Sequence, residues 1–141
     1  MKIALKDNDK LRLTLEGILV GIISGVVVSM FRWTIAHSLK LFQGLYVAAR
    51  TNVALTIGLV ALMVIVAIIV GILIKQEPNI SGSGIPQVEA QLGGEMQIKW
   101  WSVLWRKFVG GILSIGPGLF LGREGPSIQL GATIGQGVGD L

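Results

Sequence analysis

Cysteine is missing from this 141-residue chain, which excludes disulfides and thiolate metal sites. Histidine occurs once, as His37, with no nearby partner, so no structural metal is expected. Charge is scarce as well: 14% of residues are charged, against about 25% in soluble domains. With 52% hydrophobic residues and a mean hydropathy of +0.72, composition alone places the chain in a membrane. The net charge of +4 is modest and spread out, with no basic stripe, so nucleic acid is not an expected partner. There is no Gly-Lys-Ser/Thr triplet and no carboxylate cluster for magnesium, which leaves the glycine-rich loops without phosphate-handling chemistry. No cofactor and no enzymatic reaction are expected. Residues 1–12 are polar and mixed in sign, without the basic-then-apolar pattern of a cleaved signal peptide.

The apolar text itself is organised. Residues 11–42 read as one long helix whose uncharged centre, 17–31, is fifteen residues, short of the ~20 needed to span. Arg32 and Lys40 can snorkel, so a long tilted helix is expected. Gly17, Gly21 and Gly25 share one face and predict close packing against another helix. Residues 51–74 form the clearest span, twenty-four uncharged residues ended by Lys75, Glu77 and Pro78. A polar linker, 79–84, leads into a short helix over 86–92, which Gly93-Gly94 breaks. Seven or so residues cannot cross a bilayer, so this is a half-helix whose end must be buried in protein. Trp100 to Trp105 mark an interface, and residues 108–115 predict another apolar helix. The last helix is expected to start at Pro126 and to continue to Leu141, with Gly131, Gly135 and Gly139 on a packing face. Fourteen of the twenty glycines lie after residue 81, and broken helices with glycine-rich ends point to an ion or substrate site.

Two segments carry the chemistry. In Gly122-Arg123-Glu124-Gly125-Pro126, two charges interrupt an apolar stretch with fifteen uncharged residues on either side. Ionisable residues at membrane depth cost at least ~2.5–3.5 kcal/mol and are usually kept for ion or proton movement. Glu124 would stand at the positive end of a helix, an anion-binding place held by a protein anion, as a gate would be. Burial of a carboxylate in apolar surroundings favours its protonated form. Arg123 is expected to bond elsewhere than to its neighbour and to add positive potential. Gly82-Ser83-Gly84-Ile85-Pro86 repeats the plan: two glycines bracket a polar residue, and a proline enters a helical run. Two readings are open to Ser83, an N-cap or a hydroxyl donor to an anion. Glu89 and Glu95 read as helix-end or surface carboxylates. Lys107 reads either as a charge adding field at a pore or as an interface lysine, and His37 as interfacial.

Together the two segments resemble anion-site motifs of the CLC family of voltage-gated chloride channels and proton/chloride antiporters. Pro86-Gln87-Val88-Glu89, Trp100-Trp101-Ser102-Val103-Leu104, Lys107-Phe108-Val109-Gly110-Gly111 and Ile128-Gln129-Leu130-Gly131 are also similar to that family. The close match runs over 82–141, while 1–75 fits as two hydrophobic helices in the right places. The resemblance implies an all-α, polytopic membrane protein with long tilted helices and broken half-helices. It implies that Gly82, Ser83, Gly84, Ile85 and Pro86, with Gly122, Arg123 and Gly125, bind the anion, and that Glu124 is the gate and proton acceptor. Ser83 would line the central anion site and favour chloride over nitrate or fluoride; Glu124 would occupy an anion position and swing aside when protonated. Expected partners are chloride, protons in the exchanger branch, the lipid bilayer and a second copy in a homodimer. A multi-pass protein of the plasma (cell) membrane with a cytoplasmic N-terminus is implied. The family domain has two inverted repeats, and residues 1–141 correspond to an incomplete first one, as a fragment or truncated product would. Channel and antiporter remain open, as does a truncated, non-conducting membrane scaffold.

Overall fold

The computed structural model describes residues 7–140. Residues 1–6 of the polar N-terminus, and Leu141, lie outside the described residues. Five α-helices and one 3-10 turn make up the described part, with no strand among the described residues. Helix α1 spans Asp7–Ala49, 43 residues. At 1.5 Å per residue that is about 65 Å, roughly twice a hydrocarbon core. It exceeds the expected 11–42 at both ends: the polar residues 7–10 form its first turn, and no proline interrupts residues 43–49. Helix α2 spans Val53–Gln76, and its 24 residues reach about 36 Å, enough to cross. Asn52 caps it, its side-chain oxygen accepting from Leu55 N at 3.3 Å. Thr56 Oγ1 donates to Ala49 O at 2.9 Å, tying the end of α1 to the first turn of α2. Long apolar side chains on both helices stand exposed, among them Ile22, Val60, Val64 and Ile68, a surface that suits lipid rather than water.

After the 3-10 turn Pro78–Ile80, helix α3 covers Ile85–Leu92, eight residues or about 12 Å. Helices α4 (Trp100–Ile115) and α5 (Glu124–Gly139) have 16 residues each, about 24 Å. Only α1 and α2 are long and apolar enough to cross a membrane among the described residues. Helix α4 starts at Trp100 rather than at Phe108, since nothing in Trp100–Lys107 breaks a helix and Val103, Lys107 and Gly110 bury one face of it. Helix α5 starts at Glu124, two residues before the expected Pro126. Proline is tolerated there because first-turn N–H groups have no intrahelical acceptor to lose.

Helix α5 packs against both α1 and α4. One core cluster joins Phe31 and Ile35 of α1 to Ile115 and Leu130; a second joins Leu73, Ile80, Ile98 and Val103. Close approach depends on glycines other than those expected. A methyl at Gly111 would lie 2.8 Å from the Phe31 ring, and one at Gly137 would lie 2.8 Å from the Trp100 ring. Gly17, Gly21 and Gly25 have nothing within 4 Å of such a methyl among the described residues, so none of the described helices packs closely on that face. Of the second triplet, Gly135 alone meets a neighbour, Val20 at 3.8 Å. The Tyr46 hydroxyl donates to Pro117 O at 2.7 Å and fastens α1 to the turn between α4 and α5.

Candidate functional site

The two motif segments, about forty residues apart in sequence, meet in space. A methyl on Gly125 would fall 2.7 Å from both Cβ and O of Ser83, so the start of α5 lies directly on the turn before α3. Only a residue without Cβ permits that approach. The turn itself is shaped by Gly82 (φ 65°) and Gly84 (φ 85°), both left-handed. Gly84 is also the N-cap of α3 and presses on Gln129, whose Cδ would lie 2.5 Å from a methyl placed there.

Ser83 is therefore not the cap residue. Its hydroxyl oxygen accepts from Ile85 N at 3.3 Å, a turn bond two residues on. Used as an acceptor in that bond, the hydroxyl keeps its own proton free to donate. A cavity of about 450 Å³ lies beside this contact, lined by Gly82, Ser83, Gly122 and Gly125 together with Lys107, Ser114 and Pro126. Gly84, Ile85, Pro86, Arg123 and Glu124 are not among its lining residues. Arg123 and Glu124 are exposed, and among the described residues neither side chain forms an ion pair or hydrogen bond. Glu124 is the first residue of α5, so its carboxylate stands at the positive end of the helix dipole, one residue from the contact with Ser83. The apolar enclosure expected around it is not supplied by these residues.

Lys107 does not reach outward as an interface lysine would. It is 4% exposed and reaches inward, donating from Nζ to Ile80 O and Gly82 O at 2.8 Å each. A buried ammonium thus stands in the cavity wall with carbonyls, and no carboxylate, as its partners among the described residues. Behind it Glu77 accepts from Ser102 Oγ at 2.6 Å and from Asn79 Nδ2 at 2.8 Å, while Arg106 donates to Ser102 and stacks 4.6 Å over Trp105. Glu89, Glu95 and His37 are exposed and distant from this cluster in role; His37 stacks on Trp33 at 4.1 Å.

One residue escaped notice as a functional candidate. Gln129 is fully buried and donates from Nε2 to Asn79 O at 2.8 Å, joining α5 to the segment before Ser83. A signal existed: Gly125, Gln129, Thr133 and Gly137 recur every four residues and form the buried face of α5. A glutamine at a core position of an apolar helix needs a partner.

A family profile described as voltage gated chloride channel matches residues 65–141. The chain is 34% identical over 138 residues to the H(+)/Cl(-) exchange transporter ClcA of Citrobacter koseri, covering 96% of this chain and 29% of that protein. It is 32% identical over 139 residues to the ClcA of Vibrio cholerae, covering 96% and 30%, and 32% identical over 138 residues to that of Salmonella typhi, covering 96% and 29%. The chain thus spans just under a third of the length of these relatives. With more than half its residues inside the profile and both glycine-flanked turns meeting at one cavity, the chain belongs to the CLC voltage-gated chloride channel family.

Proposed function

We propose that these residues form one wall of a chloride pathway through a membrane, in a protein that exchanges chloride for protons. The observation that carries the reading is the contact of Gly125 with Ser83 beside a cavity holding a free hydroxyl proton and a buried ammonium. A chloride ion leaving water needs substitute donors, yet a full charge in direct contact would hold it too tightly for rapid passage. Amide N–H groups, a hydroxyl and the start of a helix offer partial positive charge instead. Lys107 adds field from the wall while two of its three N–H donors are taken by carbonyls.

Glu124 is the gate in this reading. Its carboxylate competes with chloride for the α5 start, and protonation removes the competitor. Coupling to protons is favoured by the exchange activity named for the relatives. The protein would act as a multi-pass homodimer of the plasma membrane with its N-terminus in the cytoplasm. The test is chloride efflux and proton uptake by liposomes carrying the complete polypeptide. Proton uptake driven by a chloride gradient is expected; vesicles that release no more chloride than protein-free controls would refute the reading.

A further inference from the structure

The turn before α3 is chemically one-sided. Four consecutive carbonyls each accept from a side chain: Asn79 O from Gln129 Nε2 at 2.8 Å, Ile80 O and Gly82 O from Lys107 Nζ at 2.8 Å, and Ser81 O from Gln87 Nε2 at 3.3 Å. The donors come from three helices: α5 for Gln129, α4 for Lys107 and α3 for Gln87. The N–H groups follow the opposite rule. Those of Ile80 and Ser81 close the 3-10 turn, and that of Ile85 goes to Ser83. Those of Gly82, Ser83 and Gly84 have no acceptor among the described residues. The four carbonyls from Asn79 to Gly82 are thus filled, whereas Ser83 O has no donor among the described residues and the buried Oε1 atoms of Gln87 and Gln129 are without partners.

The imbalance has a physical consequence. Carbonyl oxygens carry the negative end of each peptide dipole, so free ones beside the cavity would repel an anion and attract a cation. At membrane depth they would also lack water to satisfy them. The amide of Gln129 cannot simply be turned over, since Oε1 would then face Asn79 O, oxygen to oxygen. Packing of Gly84 on Gln129 fixes the same side chain from the other direction.

We propose that Gln129, Lys107 and Gln87 are positioning residues that clamp the carbonyls of Asn79 to Gly82 and so keep those four acceptors from facing an anion in the cavity. The proposal rests on the chloride reading above for the identity of the anion. It assigns Lys107 a role through geometry, where a bare field effect would need its charge alone. Gln129→Met separates the two, because it removes a clamp bond at similar volume without changing charge.

Two measurements on the complete polypeptide decide. Chloride affinity is read by titration calorimetry, and amide hydrogen exchange is read at Ile80, Ser81 and Ile85. Leu130→Ala, a core truncation next in sequence to Gln129, is the control for mere destabilisation. Gln129→Met is expected to weaken chloride binding roughly tenfold and to speed exchange at those three amides; Leu130→Ala is expected to change neither affinity nor exchange there. Should Gln129→Met fail to fold, Gln87→Met is read the same way, with a shift of roughly threefold expected. Weakened binding in Lys107→Met with unchanged affinity and exchange in Gln129→Met would overturn the clamp in favour of a pure field effect. Unchanged exchange in Gln129→Met, Gln87→Met and Lys107→Met alike would also overturn it. A wild-type protein that binds no chloride while Gln129→Met still speeds exchange would sink the chloride reading and leave the clamp standing.

Discussion

Glu124 and Gly125 are neighbours with opposite requirements. In the proposed gate the carboxylate acts through its charge, whereas the glycine is required for having no side chain, since a methyl there would lie 2.7 Å from Ser83. Glu124→Gln keeps nearly the same volume and removes the charge, so chloride efflux from the complete polypeptide is expected to persist and to lose its dependence on pH. Proton uptake should disappear with it. Retention of the parent's pH profile in that variant would remove Glu124 from the gate. Gly125→Ala places a methyl 2.7 Å from Ser83 and must push α5 off the turn. Overpacking of this kind costs about 1–3 kcal/mol, so chloride affinity is expected to fall at least about tenfold while the protein still folds. Calorimetric titration checks it, and wild-type affinity would mean the two motifs separate without consequence.

At the scale of elements, α3 meets α5 where its N-cap, Gly84, sits on Gln129. Gly84→Ala meets two penalties. Its φ of 85° is left-handed, worth about 1–2 kcal/mol for a residue with a Cβ, and its methyl collides with the glutamine. A loss of more than about 2 kcal/mol in unfolding free energy is expected, measured by thermal or denaturant unfolding in detergent. Tyr46→Phe removes the single hydroxyl that links α1 to Pro117. It is expected to lower stability by about 0.5–1.5 kcal/mol and leave chloride affinity unchanged, because the bond lies outside the cavity wall. A change in affinity in that variant would mean the α1 anchorage reaches the site.

For the whole molecule the decisive facts are openness and length. The cavity is bordered by exposed Ser83 and Gly122, with Arg123 and Glu124 exposed nearby, and the chain spans just under a third of its relatives. A pathway that desolvates an ion needs walls on every side. A polypeptide of residues 1–141 reconstituted by itself is therefore expected to release chloride from liposomes no faster than protein-free vesicles. Faster release would show that these helices close a pathway by self-association.

Much of this was legible in local text. Low charge and long apolar runs determined a membrane class, since each residue contributes to transfer free energy independently of its neighbours. Proline and glycine marked the breaks around α3 and before α5, because their backbone preferences are local. The paired motifs named Ser83 and Gly125 as candidates for one site, but not their contact. Helix packing alone decided the rest. It chose Gly111 and Gly137 for close approach and left Gly17, Gly21 and Gly25 open, because spacing describes one helix face and says nothing of which partner arrives. It turned Lys107 inward and brought Gln129 to Asn79 across fifty positions of sequence. A buried donor bonds whatever acceptor the neighbouring helix presents, and only the folded arrangement of α3, α4 and α5 determines which acceptor that is.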